Sequence, residues 1–184
     1  MAAQLSSALI VVDMQKDLCW DGRRKQKVAE ALPPLLTAID AFASMGSLVV
    51  YTYFALPPDD EQFKRFGDRY CIEGTEGAEL ISELAPLRGP LLRKKKHSVF
   101  FETELDQVLR EHGVDVVYFA GLQTQICIMT SMADASFRGY RAVAIEECVV
   151  STRDEVKQQA LDWIRTYVGD VLPLSQVTQV MEAR

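Results

Sequence analysis

The segment ALIVVD at residues 8–13 decides the fold class of this chain. A run of apolar, mostly β-favouring residues that stops abruptly at an aspartate is typical of a strand buried on both faces of a parallel sheet. A second strand is predicted at 47–54, and helix-like spacing of apolar residues fills the interval at 28–45. Pro33 and Pro34 suit a position near the start of that helix. Strand, helix and strand in this order indicate a βαβ unit.

The alternation of strands and helices continues along the chain. Further strands are predicted at 90–93, 114–120, 141–148 and, more weakly, 171–174, and further helices at 78–84, 104–111, 126–137 and 154–167. Residues 55–77, rich in proline, glycine and acidic residues, are predicted to form a long surface loop. The pattern predicts an α/β fold with three αβα layers: a doubly wound, mostly parallel sheet of about six strands with helices on both faces. No linker divides the chain, so residues 1–184 are predicted to form one domain.

Composition excludes several classes of function. A formal net charge of -6 argues against nucleic-acid binding, because phosphate contacts need an excess of Lys and Arg. No apolar run approaches the length of a membrane span, and residues 1–7 lack a basic segment followed by an apolar stretch. The cysteines, which are Cys19, Cys71, Cys127 and Cys148, are far apart and are predicted to be free thiols. We therefore expect a cytoplasmic protein with no nucleic-acid or membrane partner.

Three chemically reactive residues are predicted to meet at one edge of the sheet. In an open parallel sheet, ligands bind beyond the carboxyl ends of the strands. Asp13 follows the first strand, Lys94 follows the third, and Cys127 lies at the start of the helix after the fourth. A helix start and a lysine ammonium both favour a thiolate, so the pKa of Cys127 is predicted to be lowered. Asp13 can accept the thiol proton, and backbone N–H groups at the helix start can stabilise an oxyanion.

Each of these residues also has a purely structural interpretation. Cys127 can be a small buried hydrophobe, Asp13 can cap the loop after its strand, and Lys94 can extend into water. Lys95 and Lys96 belong to the same basic run and can face solvent. The convergence of an acid, a cation and a thiol at one edge favours an active site over chance.

Four blocks of sequence, in register from about residue 8 to 151, resemble the isochorismatase-like hydrolases. The blocks are LIVVDMQKD at 9–17, GTEGAEL at 74–80, KKKHSVFFETEL at 94–105, and GLQTQIC at 121–127 followed by ADA at 133–135 and GY at 139–140. The resemblance implies a cysteine hydrolase with the catalytic residues Asp13, Lys94 and Cys127. It selects Lys94 from the basic run because Lys94 stands four residues before Ser98, as the lysine of the family does. Lys95 and Lys96 stay as alternatives.

The resemblance also implies a mechanism. Asp13 takes the proton of Cys127, the thiolate attacks a carbonyl carbon while Lys94 steadies the charges, and water later releases the acyl group. The backbone N–H groups of Gln123 and Cys127 would form the oxyanion hole, and the peptide bond between Leu122 and Gln123 would be cis. Since members of the family are often homo-oligomers, we expect this chain to associate with itself.

Departures from the family pattern narrow the substrate. Nicotinamidases of this superfamily carry an Asp-x-His pair after the second strand, whereas this chain reads YTYFA at 51–55 and has only His97 and His112. We therefore expect no metal and no cofactor, and nicotinamide is disfavoured. Leu18 stands where phenylalanine is common, and Gln125 stands where Asp or Asn is usual.

The expected substrate is a small amide, or a related compound with a C–N bond, that reacts through a thioester acyl-enzyme. Candidates to line its pocket are Leu18, Trp20, Phe54, Tyr70 and Phe100, although ordinary packing under the long loop explains each one equally well.

Three alternatives remain at this point. Isochorismatases proper cleave a vinyl ether and can work without a nucleophilic cysteine. A catalytically idle binding or scaffold member of the family would show Cys127 no more reactive than free cysteine at neutral pH. A nucleotide-binding doubly wound protein is the least favoured, because the chain has neither GxGxxG nor GxxxxGK[ST].

Overall fold

The computed structural model describes residues 6–67 and 69–182 of the chain. The strands are β1 Ser6–Val12, β2 Leu48–Phe54, β3 Leu91–Lys94, β4 Val114–Leu122, β5 Arg141–Val150 and β6 Asp170–Leu172. The helices are α1 Lys16–Cys19, α2 Lys25–Ser44, α3 Glu61–Phe66, α4 Leu105–Glu111, α5 Met129–Phe137, α6 Asp154–Tyr167 and α7 Leu174–Glu182. Short 3₁₀ turns cover Glu76–Ala78 and Ser82–Leu84, and one π-helical turn covers Thr124–Ile128.

The strands form one sheet in the order β3-β2-β1-β4-β5-β6, and every neighbouring pair is parallel. At the carboxyl end of β1, Val12 pairs with Thr52 of β2 on one side and with Gly121 of β4 on the other. The strand order reverses between β1 and β4, and ligands of open α/β sheets bind at this kind of switch point. The predicted doubly wound sheet is confirmed.

Helices cover both faces of the sheet because the strands are apolar on both sides. On one face, Leu35 and Phe42 of α2 and Val177 of α7 belong to the same buried cluster. On the other face, a second cluster contains Leu109 of α4 and Ile164 of α6, together with residues of α5. These two cores on either side of one sheet confirm the predicted three layers. Within residues 6–67 and 69–182, no helix is long and apolar enough to cross a membrane.

The prediction that Pro33 and Pro34 lie near a helix start was wrong. The helix α2 begins at Lys25 and runs for 20 residues, with both prolines in its interior. An interior proline removes a backbone hydrogen bond and costs a helix about 3 kcal/mol. Val28 and Phe42, which lie on either side of the prolines, are both fully buried, so burial of this face against the sheet outweighs the local preference.

Two other local predictions need correction. The segment 78–84 forms no helix and instead lies between and within the 3₁₀ turns Glu76–Ala78 and Ser82–Leu84, because its backbone bonds to the chain after β1: Ile81 N–H donates to the Met14 carbonyl at 2.9 Å. The predicted loop at 55–77 contains α3, whose start is capped by the Asp60 carboxylate accepting from Gln62 N–H at 2.8 Å. The sequence also did not predict α7.

Candidate active site

Asp13 is fully buried at the carboxyl end of β1, in a left-handed backbone conformation with φ of 52°. Its Oδ1 accepts a hydrogen bond from the hydroxyl of Thr52 at 3.0 Å, and its Oδ2 lies 2.6 Å from Nζ of Lys94. Among the described residues, Oδ2 has no hydrogen-bond partner beyond this ionic contact. Asp13 therefore has one oxygen held in place by Thr52 and a second that is able to accept a proton.

Lys94 ends β3, in register with Phe54 of β2, and is 1% exposed. Its ammonium group contacts Asp13, lies 3.4 Å from Sγ of Cys127, and donates to the carbonyl of Lys96 at 3.0 Å. Burial alone lowers the pKa of Lys94, but attraction to Asp13 and to Cys127 outweighs burial and raises the pKa above its ordinary value. Lys94 is therefore a fixed cation between the acid and the thiol.

The neighbouring lysines point elsewhere. Lys95 and Lys96 are both exposed, and neither contacts Asp13 or Cys127 among the contacts of the described residues. The structure thus brings Lys94, and not its two alternatives, to the other two predicted residues.

Cys127 lies in the π-helical turn before α5 and not in the first turn of a regular α-helix, as the sequence predicted. Two N–H groups of this turn, those of Ile126 and Ile128, both donate to the carbonyl of Gln123 at 3.1 Å. In this widened turn, Sγ of Cys127 lies within 3.4 Å of Nζ of Lys94, the last residue of β3.

The predicted lowering of the Cys127 pKa was wrong for the unliganded site. Burial raises the pKa of this thiol to about 12; Lys94 opposes the rise, while the charge of Asp13 adds to it. The cost of removing a thiolate from water exceeds the favourable effect of one ammonium group that Asp13 already partly neutralises. In the unliganded site the side chain of Cys127 is therefore a thiol at neutral pH.

Gly121 allows β4 to approach β1 closely beside Asp13. It has a φ of 104°, and a side chain there would collide with the backbone carbonyl of Val12. The peptide bond between Leu122 and Gln123, just after Gly121, is cis. The family resemblance predicted a cis bond at this position.

A cavity of about 30 Å³ lies above these groups. Its walls are formed by Asp13, Leu18, Phe54, Tyr70, His97, Leu122, Gln123, Ile126 and Cys127. Leu18, Phe54 and Tyr70 are thus placed where the sequence analysis put them.

Trp20 and Phe100 do not line this cavity, which corrects two predicted pocket residues. Trp20 follows α1 and is 38% exposed. Phe100 is 3% exposed and packs in the core, with its ring centroid 6.1 Å from that of Tyr140 and 5.2 Å from the guanidinium carbon of Arg138. Both side chains are apolar and close in sequence to site residues, but only the packing determines which way each one faces.

Gln15 has a role that was not predicted from the sequence. This residue is fully buried, and its amide donates to the carbonyls of Phe54 and Ala78 at 2.8 and 2.7 Å while accepting from Phe54 N–H at 2.8 Å. It therefore ties the end of β2 to the segment at 74–80, beside Asp13. The sequence could have indicated this role, because Gln15 belongs to LIVVDMQKD at 9–17, the first block that resembles the family.

Three polar side chains, whose roles were not predicted from the sequence, join the loop after β3 to α5. Ser98 Oγ donates to Asp134 at 2.5 Å, and Ser131 Oγ accepts from Val99 N–H at 3.0 Å. These bonds join the loop that follows Lys94 to the helix that follows Cys127, so the distance between the two reactive groups is held from outside the site.

His97 also lines the cavity and was not predicted to do so. Its Nδ1 lies 4.0 Å from Sγ of Cys127. Burial and the nearby charge of Lys94 lower the pKa of His97, so the ring is neutral at neutral pH. Within the described part of the chain, no group of three or more His, Cys, Asp or Glu residues is arranged to hold a metal ion.

Comparisons with known proteins identify chains that are similar to this one in sequence and in fold. Residues 7–176 match the family model for the isochorismatase domain. The maleamate amidohydrolase of Pseudomonas putida is 33% identical over 161 residues, covering 80% of this chain and 76% of that protein. The N-carbamoylsarcosine amidase of Thermoplasma acidophilum superposes with a TM-score of 0.82 at 31% identity, over 92% of this chain and 97% of that one. A nicotinamidase/pyrazinamidase of Bacillus subtilis superposes with a TM-score of 0.83 at 26% identity, over 91% of this chain and 99% of that one.

Proposed function

The chain belongs to the isochorismatase domain family, and from this premise we propose that it is a cysteine hydrolase of small amides or related C–N compounds. The observation that carries the proposal is the meeting of Asp13, Lys94 and Cys127 at the switch point of the sheet, with Lys94 in contact with both partners. The named relatives support amide chemistry, since maleamate and N-carbamoylsarcosine hydrolysis both break a C–N bond.

The first step is proton transfer from Cys127 to Oδ2 of Asp13, the carboxylate oxygen that, among the residues the structure describes, contacts only Lys94. Because the thiol has a raised pKa in the unliganded site, transfer accompanies the attack of sulfur on the substrate carbonyl and does not precede binding. Lys94 stays protonated throughout, and it offsets the negative charge as that charge moves from Asp13 to sulfur.

The second step breaks the C–N bond. Asp13 gives its proton to the leaving nitrogen, so a primary amide releases ammonia and leaves a thioester on Cys127. Water then adds to the thioester, Asp13 accepts one of its protons, and that proton returns to sulfur as the acid is released. One water molecule is consumed, and the protein returns to its starting state.

The backbone N–H groups of Gln123 and Cys127 are proposed to stabilise the oxyanion of each tetrahedral intermediate. In support, both residues lie in the wall of the cavity that contains Asp13. Donors fixed in a water-poor cavity stabilise developing charge more strongly than water does, because they need no reorientation during the reaction.

The test is ammonia release from a panel of small amides, ureas and carbamoyl compounds that includes maleamate, N-carbamoylsarcosine and nicotinamide. Turnover should be accompanied by a covalent adduct on Cys127, which mass spectrometry of acid-quenched protein would detect. Turnover that leaves no adduct in the wild-type protein and survives in Cys127→Ala would contradict a covalent mechanism. A protein that binds panel members without hydrolysing any would be an idle family member.

We further propose that the protein is a single-domain, cytoplasmic homo-oligomer. The four unpaired cysteines are consistent with a reducing compartment. Exposed aromatic side chains, among them Phe137 at 82% and Tyr167 at 69%, supply apolar surface that a second copy would cover. Light scattering coupled to size-exclusion chromatography tests the oligomeric state, and a mass of 20.7 kDa at all concentrations would contradict it.

A further inference from the structure

His97 is the part of the cavity wall that faces solvent. Among the described residues that line this cavity, His97 is exposed, whereas the others are buried or half-buried. Its Nδ1 nevertheless lies 4.0 Å from Sγ of Cys127. The imidazole therefore stands between the sulfur and solvent on its side of the cavity.

The ring of His97 is in direct contact with the sulfur. Non-bonded heavy atoms pack at roughly 3.5–4.0 Å, so a separation of 4.0 Å leaves no room for another atom between Nδ1 and Sγ. Nζ of Lys94, which is buried, contacts the same sulfur at 3.4 Å. A carbonyl carbon that comes from solvent to meet the sulfur must therefore pass alongside the imidazole.

The backbone is held in place on both sides of His97. The carbonyl of Lys96 accepts from Nζ of Lys94 at 3.0 Å, and Oγ of Ser98 donates to Asp134 of α5 at 2.5 Å. The loop cannot move His97 away from the sulfur without breaking one of these two bonds. The position of the imidazole is thus set by the same contacts that hold Lys94 beside Cys127.

We propose that His97 is a specificity-determining residue whose ring covers the Cys127 sulfur and limits the width of the carbonyl group that reaches it. Carbonyl carbons with an unbranched neighbouring carbon pass the ring, and those with a branch beside the carbonyl are excluded. The cover follows from the contact between His97 and the sulfur. The substrate class, small amides that are unbranched beside the scissile carbonyl, rests in addition on the proposed amidase function.

The test uses two thiol reagents of different width. Iodoacetamide presents an unbranched carbon to the sulfur, and 2-iodopropionamide carries one methyl group on the attacked carbon. The ratio of their rate constants at Cys127, measured at one pH by mass spectrometry of its peptide, is divided by the same ratio for glutathione. This quotient removes the thiolate fraction and the intrinsic reactivity of each reagent. It should be about ten or more in the unsubstituted protein, since one surplus carbon in a tight site costs about 10–200-fold.

Two substitutions at His97 separate the width of the ring from its polarity. His97→Ala removes the cover and should bring the quotient to within about threefold of one. His97→Phe keeps a ring but has no nitrogen to contact the thiol, and it should retain the quotient. A hydrogen bond or charge effect of His97 would instead make the two variants alike. His112→Ala is the matched control, because His112 is exposed after α4, with its Nδ1 2.8 Å from the Val108 carbonyl, and does not line the cavity.

The same variants test the substrate class. The best amide substrate of the panel is compared with the same amide carrying one added methyl group beside the scissile carbonyl. The methylated amide should have a kcat/KM at least tenfold lower in the unsubstituted protein and in His97→Phe, and the difference should shrink to about threefold or less in His97→Ala. A loss of kcat/KM by an equal factor on both amides would indicate a structural role alone and would overturn the specificity role.

The outcomes separate this inference from the amidase proposal. A quotient near one in the unsubstituted protein, an unchanged quotient in His97→Ala, or a quotient lost in His97→Phe as well overturns the cover and leaves the amidase function standing. If the unsubstituted protein hydrolyses no amide, the proposed function and the substrate class are both overturned. The alkylation quotients still decide in that case whether His97 covers the sulfur.

Discussion

Nζ of Lys94 lies 2.6 Å from Oδ2 of Asp13, and both side chains are almost completely withdrawn from water, at 0% and 1% exposure. Lys94 ends β3 and Asp13 directly follows β1, and these two strands are separated in the sheet by β2. The ion pair therefore crosses over a strand, and each charge is stable in the interior only because the other is present.

Replacing Lys94 should destabilise the fold as well as abolish activity. Lys94→Met leaves Asp13 as an uncompensated buried charge, and breaking such a pair costs about 3–5 kcal/mol. Urea unfolding measures this loss. Lys95→Met is the control, since Lys95 is exposed and its replacement should change the free energy of unfolding by less than about 0.5 kcal/mol. Adding Asp13→Asn to Lys94→Met should restore part of the lost stability, and equal effects at Lys94 and Lys95 would contradict the placement.

Cys127 and Asp13 should act as one catalytic unit. Cys127→Ala and Asp13→Asn should each lower kcat by about a thousandfold or more, and the double variant should be hardly worse than either, because effects within such a unit are strongly non-additive. Cys127→Ala should remain folded, with a cost of roughly 1 kcal/mol. Cys148→Ala removes a buried thiol in β5, away from the cavity, and should retain turnover. Substantial activity in Cys127→Ala together with loss in Asp13→Asn would indicate vinyl-ether chemistry.

Alkylation of Cys127 should be slow at neutral pH and should accelerate as pH rises. Its pKa is raised to about 12, so the thiolate fraction grows about tenfold per pH unit throughout the accessible range. Peptide mapping after iodoacetamide treatment would isolate this site, since Cys19, Cys71 and Cys148 are 0% exposed. Low reactivity without substrate is thus expected of an active protein too, and it does not identify an idle one.

Asp13→Asn should shift this alkylation profile to lower pH. Burial and the charge of Asp13 both raise the pKa of the Cys127 thiol, and removing that charge leaves burial to oppose the lowering effect of Lys94. The variant should therefore be alkylated faster than the unsubstituted protein at pH 8 while being unable to turn over substrate. A slower reaction, or no shift in the profile, would show that Asp13 does not interact with the thiol as proposed.

Gly121→Ala should disrupt the junction between β1 and β4. The new Cβ would collide with the Val12 carbonyl, and the φ of 104° is unfavourable for any residue with a side chain. We expect a loss of about 2 kcal/mol or more in unfolding free energy, measured by urea denaturation. Gly22→Ala is the matched control, because nothing lies within 4 Å of its Cβ position. Similar unfolding midpoints for both variants would contradict this account.

Local patterns in the sequence predicted the structure correctly where the type of residue depends directly on whether the position is buried. The apolar run before Asp13 indicated a strand buried on both faces, and the structure shows Ala8 to Val12 at 0–1% exposure. The alternation of such strands with amphipathic segments was sufficient for the three-layer architecture. The interior prolines of α2 and the 3₁₀ turns at 76–84 were predicted incorrectly, because hydrogen bonds and burial supplied by distant segments outweigh local preference there.

The sequence by itself determined the layered sheet and the candidates Asp13, Lys94 and Cys127, because strand ends and helix starts are visible in hydrophobic periodicity and because the four blocks stand in register. Only the tertiary structure decided the pKa direction of Cys127, the exclusion of Trp20 and Phe100 from the cavity, and the contacts of Gln15, Thr52 and His97. The physical reason is the same in each case. Desolvation and hydrogen bonding depend on which atoms of remote segments surround a group, and that depends on packing in three dimensions and not on spacing along the chain.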